Sequence, residues 1–420
     1  MSFPEESMDN NEGEAYLPGQ PMEEGEELVY DKSAYILYHR AQTGSPCLSF
    51  DILCADGDSS NVEEFPLSMY MVCGTQSEKV GQNKVIVCKM SKINKNKQVD
   101  SDEESDSDSD DDDDDEENEE NPEMETVFMK HLGTVNRIRC SGNISGRRLA
   151  ASWSEKGKVY IWDMQQPLQA LNDSRVMNEI AGKDLKPIFS FNGHQSEGYG
   201  LDWSSLVPGK LATGDCKKNI HIWKMNESGW TVDQRAFNDH TDSVEDIQWS
   251  PNEASVFSSC SVDKSIKIWD DRAPPNKACM ITVENAHQSD VNVIHWNRKE
   301  PFIISGGDDG VLNVWDLREI SSKPSPVATF KHHTGPITSV EWHPSEGSVF
   351  GATGADNQLT LWDLAVERDS NEKEPECPPQ LLFIHQGQKE MKEMHWHPHL
   401  SGVVISTALS DFNIFKTISV

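Results

Sequence analysis

Histidine, serine and aspartate recur in this chain at intervals that would suit nucleophilic catalysis. Two sets follow one another: His240, Ser259 and Asp263, then His287, Ser305 and Asp309. An imidazole beside a hydroxyl and a carboxylate can activate a nucleophile, and the imidazoles of HWHPH (395–399) could bind a transition metal. However, the chain has no nucleophile elbow, P-loop, dinucleotide fingerprint or HExxH motif. We therefore predict that the protein is not an enzyme and needs no cofactor.

A repeated strand pattern accounts for most of these residues. Five segments alternate apolar and polar positions around a tryptophan near their end: KVYIWDM (158–164), NIHIWKM (219–225), SIKIWDD (265–271), VLNVWDL (311–317) and QLTLWDL (358–364). Such alternation predicts half-buried strands. Weaker copies at 83–90 and 411–418 bring the number of units to seven. WHP at 342–344 and WSP at 249–251 resemble HWHPH, so we interpret HWHPH as a strand end and a turn, not a metal site.

The repeat resembles that of the WD40 family. A histidine stands nine residues before the end of an inner strand in five units, at His131, His194, His240, His287 and His333. Together with the Trp-Asp endings, this resemblance covers the chain from about residue 65 to residue 420. It implies an all-β fold, a seven-bladed WD40 β-propeller with four-stranded blades around a central channel, and a monomeric molecule.

The WD40 resemblance also assigns a structural role to the two histidine sets. In that family a histidine, a hydroxyl, an aspartate and a tryptophan form a hydrogen-bonded brace within a blade. The brace residues would be His240, Ser259, Asp263 and Trp269 in one blade, and His287, Ser305, Asp309 and Trp315 in the next. Lys156 and Lys217 stand where the aspartate is expected, and Phe415 replaces the last tryptophan. We expect those three blades to be less tightly braced.

The negative charge is concentrated in two segments. Residues 100–121 contain sixteen acids and no base, and the first thirty-one residues contain ten acids and no base, within a net charge of −34. Runs of like charge stay unfolded and often bind partners of opposite charge. We therefore expect a basic partner. Direct nucleic-acid binding is not expected, because phosphate carries the same charge.

Cysteine usage and hydropathy indicate the compartment. The nine cysteines include no CxxC pair, which favours a reducing environment over a disulfide scaffold or a zinc site. The start, MSFPEESMDN, lacks the features of a signal peptide, and no apolar run is long enough to span a membrane. We expect a soluble intracellular protein with no membrane partner.

Three long connections interrupt the repeats, at 91–124, 165–186 and 365–380. We expect each to follow a closing strand and to precede the inner strand of the next blade, which would place all three on one face. The predicted organisation is a disordered acidic tail (1–30), an N-terminal helix (31–45) and the propeller (46–420), with a disordered acidic loop (94–124) between the first and second blades. The helix is predicted because Ala34, Leu37, Tyr38 and Ala41 share one helical face.

A second resemblance is to the histone-binding subfamily of WD40 proteins. It rests on the predicted helix, on PCLSFDI (47–53) and on PPQLLFIH (378–385). In that subfamily an N-terminal helix and an acidic loop ending in Pro-Pro flank a groove for a basic histone helix. The resemblance implies a client-binding groove formed by Tyr35, Leu37, Tyr38, Glu367, Asp369, Glu372, Glu374, Glu376 and Phe383.

A narrower resemblance is to the glutamate-rich WD-repeat protein family, the animal counterparts of a yeast ribosome-assembly factor. It rests on AYLPG (15–19), PCLSFDIL (47–54), GTQ (74–76), NKVIVCKMSKI (83–93) and the acidic insertion. The resemblance implies a non-enzymatic chaperone that escorts a basic large-subunit ribosomal protein of the L-three type. It also implies histone binding and a location in the nucleus and nucleolus.

Two alternatives to a ribosomal client stay open. Core histones are also basic, so charge does not separate the two clients. WDDR (269–272) and WDLR (315–318) match a motif of WD40 substrate receptors of cullin-type ubiquitin ligases; adaptor-binding residues would then be Asp270, Arg272, Asp316 and Arg318.

The acidic run also contains candidate phosphorylation sites. Four serines each precede an acid by three residues, as an acid-directed kinase requires: Ser101, Ser105, Ser107 and Ser109. Each phosphate would add further negative charge to the run.

Overall fold

The computed structural model describes residues 30–54, 64–77, 79, 81–96, 121–367, 378–409 and 411–420. These residues form seven antiparallel sheets of four strands each, with two short α-helices. From the innermost to the outermost strand, the first three sheets are β2 (Cys47–Ile52), β3 (Leu67–Thr75), β4 (Lys84–Ile93) and β5 (Glu123–Lys130); β6 (Val135–Cys140), β7 (Leu149–Ser154), β8 (Lys158–Asp163) and β9 (Phe189–Phe191); and β10 (Gly200–Trp203), β11 (Leu211–Gly214), β12 (Ile220–Asn226) and β13 (Gly229–Val232).

The remaining four sheets follow in chain order. They are β14 (Val244–Trp249), β15 (Val256–Ser261), β16 (Ile266–Asp270) and β17 (Cys279–Val283); β18 (Val291–Trp296), β19 (Phe302–Gly307), β20 (Val311–Asp316) and β21 (Ala328–Lys331); β22 (Ile337–Trp342), β23 (Val349–Gly354), β24 (Leu359–Asp363) and β25 (Leu381–His385); and β26 (Glu393–Trp396), β27 (Val403–Thr407) and β28 (Phe412–Thr417), whose outermost strand is β1 (Tyr35–Ala41) from the start of the chain.

The inner strands close the sheets into a ring. Each inner strand contacts the inner strand of the next sheet, and β26 contacts β2. This arrangement is a seven-bladed β-propeller, with each sheet forming one blade, and it confirms the predicted all-β architecture.

Buried aromatic side chains fill the space between neighbouring blades. The tryptophans near the end of the third strands, such as Trp269 and Trp362, are fully buried. Trp269 stacks on Phe257 with an interplanar angle of 7°, and Trp362 stacks on Phe350 in the same way. Burying an aromatic side chain contributes about 2–3 kcal/mol, so these repeated tryptophans are a main source of the stability of the ring.

The hydrogen-bonded brace is present in both blades for which it was predicted. In the fourth blade, His240 Nδ1 lies 2.9 Å from an oxygen of Asp263 and its Nε2 lies 2.7 Å from Ser259 Oγ, which also accepts from Trp269 Nε1 at 2.8 Å. In the fifth blade the equivalent distances, among His287, Asp309, Ser305 and Trp315, are 3.0, 2.8 and 2.9 Å. The histidines are therefore structural, because each ring nitrogen is used within its own blade.

The expectation of a weaker brace in the third blade is wrong. Asp215, two residues before Lys217, lies 2.8 Å from His194 and completes the brace. In the second blade, by contrast, His131 Nδ1 lies 2.9 Å from the carbonyl of Gly133. In the seventh blade Phe415 stacks on His385, with ring centroids 4.2 Å apart.

The predicted N-terminal helix at 31–45 is also wrong. Only a single 3-10 turn, Lys32–Ala34, precedes β1, which pairs antiparallel with β28. Tyr35 and Leu37 are both buried, so the burial alternates as in a strand. The helical spacing is overridden because β28 would otherwise expose an unpaired edge at the point where the ring closes.

The acidic insertion lies inside the first blade, between β4 and β5, and not between the first and second blades. The other two insertions occupy the equivalent position, between β8 and β9 and between β24 and β25. Each therefore precedes the outermost strand of its own blade. The sequence offered no signal for these outer strands, since they are short and partly exposed.

Helices are few in the described part of the chain. The two α-helices, α1 (Gln165–Ala170) and α2 (Ser174–Ile180), fill the insertion between β8 and β9, and Asp173 caps α2 by accepting from the N–H of Arg175. A 3-10 turn at Pro275–Lys277 follows β16. No helix of the described residues has the length and apolarity needed to cross a membrane.

Candidate functional site

All three insertions emerge on one face of the propeller. Because the strands of a blade alternate in direction, the connections between third and fourth strands leave from the same end as those between first and second strands. β1 is a fourth strand, so the N-terminal segment also enters from this end. We call this end the insertion face. The prediction that the three insertions share a face holds, although they join different strands from those expected.

An aromatic cluster lies on the insertion face where β1 begins. It consists of Tyr30, Tyr35, Tyr38 and Phe383. The ring centroids of Tyr30 and Tyr38 are 4.5 Å apart, and those of Tyr35 and Phe383 are 5.3 Å apart in an edge-to-face arrangement. Tyr30 is 40% exposed, while Tyr38 and Phe383 are half-buried. Exposed aromatic groups of this kind bind apolar stems and cations of partner side chains.

Buried polar groups hold the aromatic cluster in place from beneath. Tyr35 Oη lies 2.7 Å from His385 Nδ1, and Tyr38 Oη donates to Asn413 Oδ1 at 3.2 Å. Burial lowers the pKa of His385 to about 3 and raises the pKa of Tyr35. Both groups are therefore neutral at physiological pH, and their contact fixes the orientation of the Tyr35 ring.

The acidic segments begin and end beside the aromatic cluster. At the start of the first insertion, Asn96 donates its backbone N–H to Ile36 O and accepts from Tyr38 N–H. The third insertion is described up to Glu367, which is exposed, and again from Pro378, which leads into β25 and Phe383. The cluster thus lies between the attachment points of two acidic segments.

The structure separates the predicted groove residues into three groups. Tyr38 and Phe383 are accessible on the insertion face, whereas Tyr35 is 8% exposed and Leu37 is fully buried among residues of the first and seventh blades. Leu37 therefore cannot contact a client. The acids Asp369, Glu372, Glu374 and Glu376 lie outside the described residues, as do Ser101, Ser105, Ser107 and Ser109.

A second feature of the insertion face, which sequence reasoning missed, is the mouth of the central channel. It forms a cavity of about 610 Å³. Each blade contributes the next-to-last residue of its inner strand, and we call these seven residues the channel ring: Asp51, Arg139, Asp202, Gln248, His295, Glu341 and His395. The signal was present in the sequence, as a polar residue before the terminal tryptophan of five inner strands.

A buried charge cluster lies below the channel ring and joins the two ends of the propeller. Glu393, the first residue of β26, accepts from Arg137 at 3.0 Å and from Arg139 at 2.6 Å. Its second oxygen accepts from the backbone N–H of Phe50 at 2.8 Å. Burial opposes the ionisation of Glu393, but the charges of Arg139 and His395 outweigh it and hold the pKa of Glu393 well below its usual value. The seventh blade is thereby tied to the first and second.

His395 extends this charge cluster into the channel ring. Its Nδ1 lies 2.6 Å from Glu341 and its Nε2 lies 3.7 Å from Glu393. Burial alone would lower the pKa of His395, but the two carboxylates raise it to about 10. The imidazole is therefore protonated at neutral pH. Within the described residues, no group of histidine, cysteine and carboxylate side chains has an arrangement that could hold a metal ion.

Comparison with known proteins supports the assignment of the fold and the insertion face. Residues 25–94 match the family described as histone-binding protein RBBP4 or a component of the CAF1 complex. Residues 232–270, 278–316 and 324–363 match the WD domain, G-beta repeat. The ribosome assembly protein rrb1 of Schizosaccharomyces pombe is 42% identical over 96% of this chain and 84% of its own length. The glutamate-rich WD repeat-containing protein 1 of Dictyostelium discoideum is 44% identical over 94% of this chain and 83% of its own length.

The chain belongs to the glutamate-rich WD-repeat protein family. A further relative at similar similarity is the protein HEAT STRESS TOLERANT DWD 1 of Arabidopsis thaliana, 43% identical over 95% of this chain and 90% of its own length. The histone-binding match covers Tyr30, Tyr35 and Tyr38 of the aromatic cluster, whereas Phe383 lies outside it.

In this member of the glutamate-rich WD-repeat family, the predicted adaptor-binding arginines point back to their own strands. Arg272 pairs with Asp270 at 2.6 Å, and Arg318 pairs with Asp316 at 2.5 Å. The arginine side chains are 74% and 66% exposed. Because they lie two residues after the aspartate, these pairs stabilise the turn that follows the third strand. They leave the arginines accessible to a partner only at the cost of an exposed ion pair, which is small.

Proposed function

We propose that this protein is a non-catalytic chaperone in ribosome assembly, which binds a basic large-subunit ribosomal protein of the L-three type on the insertion face and acts in the nucleus and nucleolus. The observation that carries the proposal is the position of the aromatic cluster between two acidic segments. The name of the Schizosaccharomyces pombe relative, ribosome assembly protein rrb1, supports the assignment to ribosome assembly.

Charge and aromatic contact would have separate roles in this mechanism. A ribosomal protein free of its RNA carries many lysines and arginines, and the sixteen acids of residues 100–121 match that charge. Exposed ion pairs are weak individually and are screened by salt, so the client can later be transferred to ribosomal RNA. The half-buried rings of Tyr38 and Phe383, with the exposed Tyr30, would supply contact that salt does not screen.

The acidic run is tested by removing its charge without changing its length. In the test variant, each Asp and Glu between 100 and 121 is replaced by Asn or Gln, and in the matched control the same residues are kept in scrambled order. We expect the neutral variant to bind a purified ribosomal client more weakly and with a smaller dependence on salt, while the scrambled control behaves like the wild type. An unchanged affinity and salt dependence in the neutral variant would exclude the run as a client-binding element.

The aromatic cluster is tested in the same binding assay. Tyr30→Ala removes a ring that is 40% exposed on the insertion face, and Phe128→Ala removes a ring that is 49% exposed on the outer strand of the first blade. We expect only Tyr30→Ala to weaken binding, and to do so equally at low and high salt. If the two variants have the same affinity, the cluster is not part of the client-binding site.

A histone client is the second candidate, favoured by the match of residues 25–94 to the histone-binding family. Both clients would compete for the insertion face under this proposal. Competition between a purified ribosomal client and a core histone, each with one fluorescent label, measures which is bound more tightly. Imaging of the tagged protein in cells tests the nuclear and nucleolar location.

A further inference from the structure

The cavity at the mouth of the central channel has the size and shape of a ligand site. Its volume of about 610 Å³ lies within the usual range for pockets that enclose a ligand. Tryptophan rings from three inner strands, Trp203, Trp342 and Trp396, contribute to its wall, and the channel ring supplies its polar groups. A long side chain with an apolar stem and a charged end would therefore find suitable contacts along the axis of the channel.

The cations of the channel ring are already occupied by other groups. Arg139 donates to Ser49 Oγ, to the carbonyls of Phe50 and Ile138, and to Glu393. His395 lies between Glu341 and Glu393, as described above. Neither cation forms a hydrogen bond with the carboxylate of Asp202.

Asp202 is the ring carboxylate whose charge is least compensated. Its Oδ2 accepts from the backbone N–H of Trp249 at 2.6 Å, and no side chain of the described residues forms an ion pair with it. The charged groups that face it are Asp246 and Asp51, which repel it, and Arg139, which attracts it. Burial is the largest of the effects that raise the pKa of Asp202 to about 7. A cation placed beside it would offset both the burial and the repulsion.

The two arginines at the rim of the cavity lie towards other blades. Arg148 acts on Cys140 in the second blade, and Arg298 acts on His295 and Glu341 in the fifth and sixth blades. Neither is among the main groups that act on Asp202. The third-blade side of the cavity is therefore where an incoming positive charge is favoured.

We propose that this cavity receives a lysine or arginine side chain of the basic client, with Asp202 as its counter-ion. The inference rests on the proposed function, because the client is the source of the side chain. It adds a second point of contact on the insertion face, distinct from the acidic run and the aromatic cluster. A buried pair of this kind is much less screened by salt than the exposed acids, so it would persist when the acidic run has released the client.

A hexalysine peptide serves as the probe, titrated into the full-length protein at a salt concentration of about 0.5 M to screen the acidic run. We expect Asp202→Asn to weaken binding about tenfold. The amide oxygen of asparagine can still accept from Trp249, so the fold should be retained, and a thermal melt checks this. Asp308→Asn, which neutralises an exposed acid in the turn between β19 and β20 on the opposite face, is the matched control and should bind like the wild type.

Two further measurements distinguish a direct ion pair from a structural effect. Gln248→Lys places an ammonium at the neighbouring position of the channel ring and should also weaken binding about tenfold. Since only ionised Asp202 attracts the probe, wild-type affinity should rise about tenfold between pH 6 and pH 8 and stay constant in Asp202→Asn.

Each outcome bears on the proposal. If Asp202→Asn and Gln248→Lys bind like the wild type and wild-type affinity does not change with pH, the cavity is not the site, and the result with the neutral acidic run still stands for the proposed function. If the neutral run has no effect on the client but Asp202→Asn loses the probe, the cavity is supported and the acidic run is excluded. If the wild type does not bind hexalysine at low or high salt, both proposals are overturned.

Discussion

Replacing Glu393 with glutamine should destabilise the propeller by about 3–5 kcal/mol. The side chain of Glu393 is 2% exposed, and those of Arg137 and Arg139 are 13% and 12% exposed. Glutamine has the same shape and can still accept from the N–H of Phe50. The change therefore removes the negative charge and leaves two largely buried guanidinium groups without it. Breaking a buried ion pair from one side costs about 3–5 kcal/mol, because the remaining charge is uncompensated.

A matched control separates this effect from the loss of any surface charge. Glu390, three residues earlier, pairs with Lys392 at 3.3 Å, and its side chain is 60% exposed. Exposed pairs of this kind contribute about 0–1 kcal/mol. Glu390→Gln should therefore leave the free energy of unfolding nearly unchanged, although it removes the same charge from the same part of the seventh blade.

Urea denaturation followed by tryptophan fluorescence measures both variants, and hydrogen exchange at the Phe50 amide reports on the junction between the first and seventh blades. We expect the urea midpoint of Glu393→Gln to fall markedly with an unchanged slope, and the Phe50 amide to exchange faster than in the wild type. If Glu393→Gln and Glu390→Gln have the same midpoint within about 1 kcal/mol, then the buried charge cluster does not hold the ring closed, and the reasoning is wrong.

Two further predictions concern buried histidines. Because the folded pKa of His395 is raised to about 10, the stability that the wild type has over His395→Gln should be largest below about pH 6.5 and should be lost as the pH rises towards 10; urea midpoints at pH 6, 8 and 10 measure the difference, and a constant difference would contradict the assignment. Ser259→Ala should lower the free energy of unfolding by about 1–3 kcal/mol, since His240 and Trp269 lose their common partner. The exposed Ser228→Ala is its control, and equal midpoints for the two variants would rule out the brace as a source of stability.

The repeats could be predicted from the sequence because they follow local rules. Alternating apolar residues that end in tryptophan predict strands, and a hydroxyl ten residues before Trp269 or Trp315 predicts a bond to its indole. The third-blade brace shows the limit of this approach. Lys217 stands at the expected position of the aspartate, but Asp215 reaches His194 because the turn places its carboxylate nearby. A one-position rule does not capture that geometry.

The segment before the first blade could not be predicted from its own pattern. Residues 34–41 have a helical spacing of apolar side chains, yet Tyr35–Ala41 forms a strand, since β28 offers an unpaired edge at the closure of the ring. That edge is contributed by residues nearly 380 positions later in the chain. Leu37, expected in the groove, is buried for the same reason.

The channel was hidden from sequence reasoning for a different cause. Asp202 and Gln248 are separated by 46 residues, and each is a single polar residue near the end of an ordinary strand. They become neighbours only when seven inner strands stand side by side around the axis. A chemical site made of one residue from each repeat has no local spacing that could announce it.

The sequence by itself determined the number of blades, the structural role of the repeated histidines and the acidic character of two segments, because each depends on residue type and on short-range periodicity. Only the tertiary structure decided where those segments attach, how the chain ends are joined by β1 and Glu393, and which carboxylate of the channel lacks a counter-ion. These depend on the closure of the ring, which brings together residues that are far apart in the chain, and on burial, which changes the free energy of a charge far more than its position in the sequence does.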